Sequence, residues 1–215
     1  MKNRNHSWLL ALLLVLPLGT SSSPAAEAVS LHKLVLHNEN ERKGDYDRFA
    51  LELLGGLERF KADPGSELIA QRLADTSGSM RNSLALIGGL EKLVQAKLPG
   101  KTHWMLSDLL ASLFRRAGRH EEALAAYSGI LEAGEKGEAP LDAIHRRGFV
   151  HLALNNDEAA LDDFTRVAEL MEPGLIREEA LVKRGHALYM LGREAEALGV
   201  WRGFIEAHPD SPLTP

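Results

Sequence analysis

Along most of this chain, apolar residues recur with the spacing of a helix face, and short polar or Gly/Pro breaks divide them. In residues 45–60, Tyr46, Phe49, Ala50, Leu53, Leu54, Leu57 and Phe60 fall on one side of a helical wheel, which predicts an amphipathic helix. Asp63-Pro64-Gly65 stops it, and Ser66 is placed to cap the next helix, which carries Leu68, Ile69, Ala70 and Leu73. Thr76-Ser77-Gly78-Ser79 reads as a turn, and residues 81–98 read as a further helix closed by Pro99-Gly100. Ahead of these, residues 31–37 read as a short helix or an extended arm, and the polar residues 38–43 read as a loop.

From Trp104 onward the pattern repeats. Ala123-Leu124 with Tyr127, Ala160-Leu161 with Phe164, and Ala197-Leu198 with Trp201 return at a step of 37 residues. A fixed step of this size marks stacked helical units. Each unit divides into a helix A, a turn and a helix B. The turn slot holds Gly118, Asn155 and Gly192, residue types that accept the left-handed conformation ending a helix. Small residues in helix A (Ala111, Gly148, Gly185) and helix B (Ala123, Ala160, Ala197) let the two helices approach, and the aromatics fill the space beside them. Helix B is predicted over 121–131, 158–170 and 194–207. The stretches 51–60 and 84–93 also resemble each other at an offset of 33. We prefer a decayed copy of the unit over a coincidence of common residues. Gly55-Gly56 and Gly88-Gly89 then mark places where a neighbouring backbone packs closely.

These slots resemble the tetratricopeptide repeat family: bulky, small, bulky in helix A, then Ala and an aromatic in helix B, then Pro. The third unit fits best, with Leu181, Gly185, Leu188, Ala197, Trp201 and Pro209. The second has its Pro173 one residue late, and the first has Ser107 where a bulky residue belongs. The extra length over the family's usual step is assigned to the links around 134–140 and 172–175. The resemblance implies an all-α fold, an α-solenoid of antiparallel helix pairs wound as a right-handed superhelix. Three repeats are expected at about 104–140, 141–177 and 178–211 within a domain spanning 101–215, after a helical region at 29–100 that holds degenerate hairpins.

The same resemblance places Met105, Asp108, Ser112, Arg115 and Arg116, then Asp142, His145, Phe149 and Leu152, then Glu179, Val182, His186, Tyr189 and Met190 on a concave groove lined by helices A. That groove runs from polar, with two Arg, to apolar, with aromatics and Met. Arg, Tyr, Phe and Met favour binding surfaces. A peptide with an acidic end and an apolar end matches this gradient. His151 occupies a core slot and is expected to be a buried, hydrogen-bonded ring.

Composition narrows the function. Apolar residues at 45% and charged residues at 26% belong to a folded soluble chain, and the abundance of Leu and Ala over Val and Ile favours helix. The net charge is −5 with Lys and Arg dispersed, which argues against nucleic acid, since that partner needs a concentrated basic footprint. There is no Cys, so disulfides, thiolate metal sites and a Cys nucleophile are excluded. The nine His include no pair at helical metal spacing, and no metal or other cofactor is expected. Asp162-Asp163 and Glu121-Glu122 are sequence neighbours on helices and do not face each other. With no Gly-x-Ser-x-Gly either, no catalytic constellation is found.

At the front, Lys2 and Arg4 precede an apolar run over residues 8–18, and small residues follow to Ala26. This is the order of a secretory signal peptide over 1–28, with cleavage after Ala26 or Ala28. The apolar run is shorter than the ~20 residues that span a membrane, so no stable span is expected once the signal is removed. An uncleaved anchor is the disfavoured reading. Export without Cys suits a bacterial periplasmic or secreted protein. The leading expectation is therefore an exported, non-catalytic scaffold that binds a protein or peptide in its groove, with self-association through an uncapped C-terminal repeat. The alternative is the N-terminal arm of a larger exported enzyme or envelope-assembly factor.

Overall fold

The structure is a computed structural model that describes residues 34–35, 39–60, 63, 65–98, 100–133 and 140–214. The signal at 1–28 lies outside the described residues, as does most of the link at 134–140. Among the described residues there are helices and no strand: α1 (Glu39–Arg42), α2 (Tyr46–Arg59), α3 (Ser66–Ser77), a 3-10 turn (Ser83–Leu86), α4 (Ile87–Gln95), α5 (Gly100–Arg116), α6 (His120–Ala133), α7 (Leu141–Ala153), α8 (Asp157–Leu170), α9 (Leu175–Met190) and α10 (Glu194–Ala207). The helices pack in successive pairs, the arrangement of an α-solenoid. The chain forms two compact units, divided between Thr102 and His103.

In the first unit, α2 begins at Asp45, whose carboxylate accepts the Arg48 N–H at 3.3 Å. It buries Phe49, Leu53 and Leu57, while α3 buries Ile69 and Leu73. Four local expectations are corrected here. Residues 39–42 form a helical turn rather than a loop. Gly65, not Ser66, is the N-cap of α3. The Ser66 hydroxyl is buried instead, 3.1 Å from the Thr102 hydroxyl. The helix read over 81–98 begins as a 3-10 turn and becomes α-helical only at Ile87. Gly56 and Gly89 are crowded, but by the side chains of Leu34 and Leu54 rather than by backbone, and Gly55 and Gly88 face open space.

In the second unit, α6 packs on α7, α7 on α8, α8 on α9 and α9 on α10, and α7 also reaches past α8 to α9. Each hairpin ends its helix A in the same way. Gly118, Asn155 and Gly192 stand at φ +73°, +56° and +73°. The amides of Arg119, Asn156 and Arg193 each donate at 2.9 Å to the carbonyls of Phe114, His151 and Leu188, five residues back. This is the Schellman closure, and it reuses carbonyls that the helix end would otherwise leave unpaired.

The small slots do what their size allows. A Cβ on Gly148 would lie 2.9 Å from the ring of Phe164, and one on Gly185 would overlap the indole of Trp201. Ala111, Ala123, Ala160 and Ala197 are fully buried. Ser107, the weak slot of the first hairpin, is buried too. Of the three aromatics, Tyr127 and Phe164 are fully buried and Trp201 is half-buried. The third helix A starts at Leu175, ahead of the expected repeat start at 178.

Candidate partner-binding face

The 37-residue step sets the expected groove residues in rows across the three helices A, α5, α7 and α9: Met105, Asp142 and Glu179; Asp108, His145 and Val182; Ser112, Phe149 and His186; Arg115, Leu152 and Tyr189; Arg116, Ala153 and Met190. The side chains in these rows have different fates. Asp108 is taken by Arg146 of α7 in an ion pair between neighbouring helices A. Burial pushes the Asp108 carboxyl above its usual range even with that arginine beside it. Ser112 is bonded at 3.2 Å to the Tyr127 hydroxyl, whose pKa burial also raises.

His145 is the clearest correction to the expected groove. It is buried, not presented to a ligand, because three neighbours enclose it. Its ring meets Phe149 edge-on at 5.1 Å and Phe164 at 5.9 Å, and its Nε2 lies 3.5 Å from a carboxylate oxygen of Glu179 on α9. Burial holds it below the ordinary imidazole range, against the opposing pull of Glu179 and Asp142. Phe149 is half-buried, with the Lys183 ammonium 5.4 Å above its ring. His151 is also largely buried, but it is not hydrogen-bonded as expected. Its Nδ1 has no partner and its Nε2 is 3.9 Å from Asp163, too long for a hydrogen bond. The reason is that Arg147 takes Asp163 first, through two bonds of 2.9 and 2.6 Å.

What stays accessible lies mostly at the C-terminal ends of helices A. Arg115 and Arg116 are exposed on α5, and His186, Tyr189 and Met190 on α9, with Leu152 half-buried between them. Asp142 is exposed at the other end of α7, and Met105 and Glu179 are half-buried. The open part of the expected groove is thus a strip of two rows, cationic at the first hairpin and apolar at the third. Among the described residues, no cluster of His, Asp and Glu is placed to hold a metal ion, and no helix is long and apolar enough to cross a membrane.

Sequence reasoning missed one feature. A cleft of about 700 Å³ opens between α8, α9 and α10, and none of the expected groove residues lines it. Leu161, Leu188 and Phe204 form apolar walls around Arg184. The readable signal was Arg184 itself, an arginine on a helix face whose counterpart slot in helix B carries no acid.

Hairpins that stack through small-residue slots and share one turn geometry define a helical repeat scaffold. The tetratricopeptide repeat model matches residues 179–211, so the third hairpin is a tetratricopeptide repeat, and the chain has the fold of tetratricopeptide-repeat proteins. Solved structures agree with this. The chain is similar to the MamA protein (TM-score 0.64, 18% identity, 87% of this chain and 97% of that chain). It is similar also to a tetratricopeptide repeat protein from Parabacteroides merdae (TM-score 0.62, 19% identity, 85% and 68%). A third likeness is to nearly identical TPR-like repeats from Podosopora anserina (TM-score 0.61, 16% identity, 88% and 100%). No curated protein matches the chain in sequence.

Proposed function

We propose that this chain is an exported, non-catalytic scaffold that holds an extended protein segment across the C-terminal ends of α5, α7 and α9. The observation that carries this reading is the exposure of Tyr189 at 53% and Met190 at 49%, in the same rows as the exposed Arg115 and Arg116. Adjacent large apolar side chains left in water mark a candidate interaction surface. Aromatics and arginines supply most hot spots in such surfaces. The bound segment would carry its acidic residues toward Arg115 and Arg116 and its apolar residues toward Tyr189 and Met190. The N-terminal order of basic, apolar and small residues supports export, and N-terminal sequencing of the mature protein checks it, with cleavage after Ala26 or Ala28 expected. Self-association belongs to the same reading, through the outer face of α10 where Leu198 and Ile205 stand exposed. It should weaken in Leu198→Glu/Ile205→Glu when followed by sedimentation.

A crosslinked pull-down from the envelope fraction tests the strip. Arg115→Glu/Arg116→Glu/Tyr189→Ala should lose the partners that the wild type retains. Equal recovery of the same partners by both proteins would sink this reading.

A further inference from the structure

The slot that holds Arg147 in the second hairpin holds Leu110 in the first and Arg184 in the third. The slot facing it on helix B holds Ala126, Asp163 and Val200 in turn. The first hairpin has no charge in this place. The second has a closed ion pair, with both Asp163 oxygens accepting from Arg147 and the Asp163 side chain only 6% exposed. The third keeps the arginine and lacks the acid. The Nε of Arg184 is buried with no hydrogen-bond partner. Among the described residues no ion pair involves Arg184.

Arg184 and Val200 both line the open cleft between α8, α9 and α10. Two carboxylates stand on its rim. Glu196 is already bonded to Arg193 at 2.8 and 2.7 Å, and Asp162 is exposed and makes no ion pair with Arg184. The α10 wall is also cut back. Gly199 and Gly203, one turn apart, line the cleft, and a Cβ added to either would meet nothing within 4 Å. Missing side chains at i and i+4 leave a furrow along a helix of the kind that receives the ridge of another.

We propose that this cleft receives a helix of a partner protein whose apolar face carries one carboxylate, which docks on the Arg184 guanidinium. The charge complementarity is specific, because a guanidinium fork donates paired bonds to a carboxylate and is poorly served by neutral acceptors. The apolar walls take the residues flanking the acid. This site is separate from the strip at the ends of helices A, and its test is independent of that reading.

The probes are a fluorescein-labelled amphipathic Leu/Ala helix of about 14 residues with one central Glu on its apolar face, and its Gln twin. Both are titrated by anisotropy against the full chain. The Glu peptide should bind about tenfold more tightly than the Gln peptide. Val200→Asp supplies the missing internal acid and should erase that preference. Arg184→Met keeps the apolar stem, loses the fork and should erase it too, with helical circular dichroism unchanged. Gly199→Leu fills the furrow and should weaken both peptides. Equal binding of the twins to wild type, absence of binding by either, or a preference that survives in a folded Arg184→Met would each overturn the proposal. If the wild type self-associates in sedimentation equilibrium and Val200→Asp abolishes it, the occupant is a second copy of this chain, and the partner-helix assignment fails.

Discussion

Phe164 in the second hairpin is wholly buried, whereas Trp201, in the same slot of the third, keeps part of its ring in solvent. The backbone devices around the two are the same: a glycine beneath the ring, a left-handed turn and a helix of equal length. The difference is cover. The second hairpin packs against α6 on one side and α9 on the other, while α10, among the described elements, packs chiefly on α9. In a stacked array the slot fixes which residue type fits, and the neighbouring repeat fixes how much of it leaves water.

The largest test of that contrast is truncation of the two aromatics. Phe164→Ala should cost ~3–5 kcal/mol, as expected for a fully buried aromatic. Trp201→Ala should cost less despite the larger ring, because less of it is buried and its indole N–H bonds only the Val182 carbonyl, at 3.1 Å. Chemical denaturation of both variants checks this, and equal losses would contradict the role given to cover. Next in size, Asp163→Ala leaves Arg147 without its partner inside the second hairpin and should cost ~1–3 kcal/mol. Val200→Ala, at the same slot in the third hairpin, strands no charge and should cost less.

The glycines divide the same way with opposite signs. Gly148→Ala forces a methyl against Phe164 and should cost ~1–3 kcal/mol. Gly199→Ala meets open space in a helix interior and should stabilise by up to about 1 kcal/mol. Melting curves of the pair decide it.

The smallest effect is a dependence on pH carried by two histidines of the second hairpin. Burial holds His145 and His151 below the ordinary imidazole range, so the folded chain takes up these protons less readily than the unfolded chain. Stability should therefore fall as pH drops below about 6.5. His145→Gln/His151→Gln should flatten that slope. Asp108, on α5, acts with the opposite sign. Its raised carboxyl gains a proton in the fold before it would in the unfolded chain.

Much of the second unit was legible because slot size, turn residue and aromatic recur in phase. The pairings between helices A were not. His145 meets Glu179 and Phe149 meets Lys183, each 34 residues on, where the repeat step is 37. Between α7 and α9 these contacts fall about a turn short of the repeat step, while Asp108 on α5 meets Arg146, 38 residues on, so the step tells which residues share a slot and not which ones touch. That offset is why His145 was expected on the open face and lies enclosed. In the first unit, Ser66 has the chemistry of a cap, yet its hydroxyl is buried against Thr102, a contact 36 residues away that no local pattern announces. The cleft at Arg184 escaped notice for a related reason, since it is defined by an acid that is absent from one repeat and present in another.

The one-sided packing of α10 has a further consequence for the order in which the molecule opens. Elements with few buried neighbours exchange their amide hydrogens through local opening long before the whole unit unfolds. The amides of α10 should exchange faster than those of α8, which is held from both sides. A helix laid into the Arg184 cleft would slow that exchange by acting as the missing neighbour, so occupancy of the cleft and the rigidity of the last hairpin would rise together.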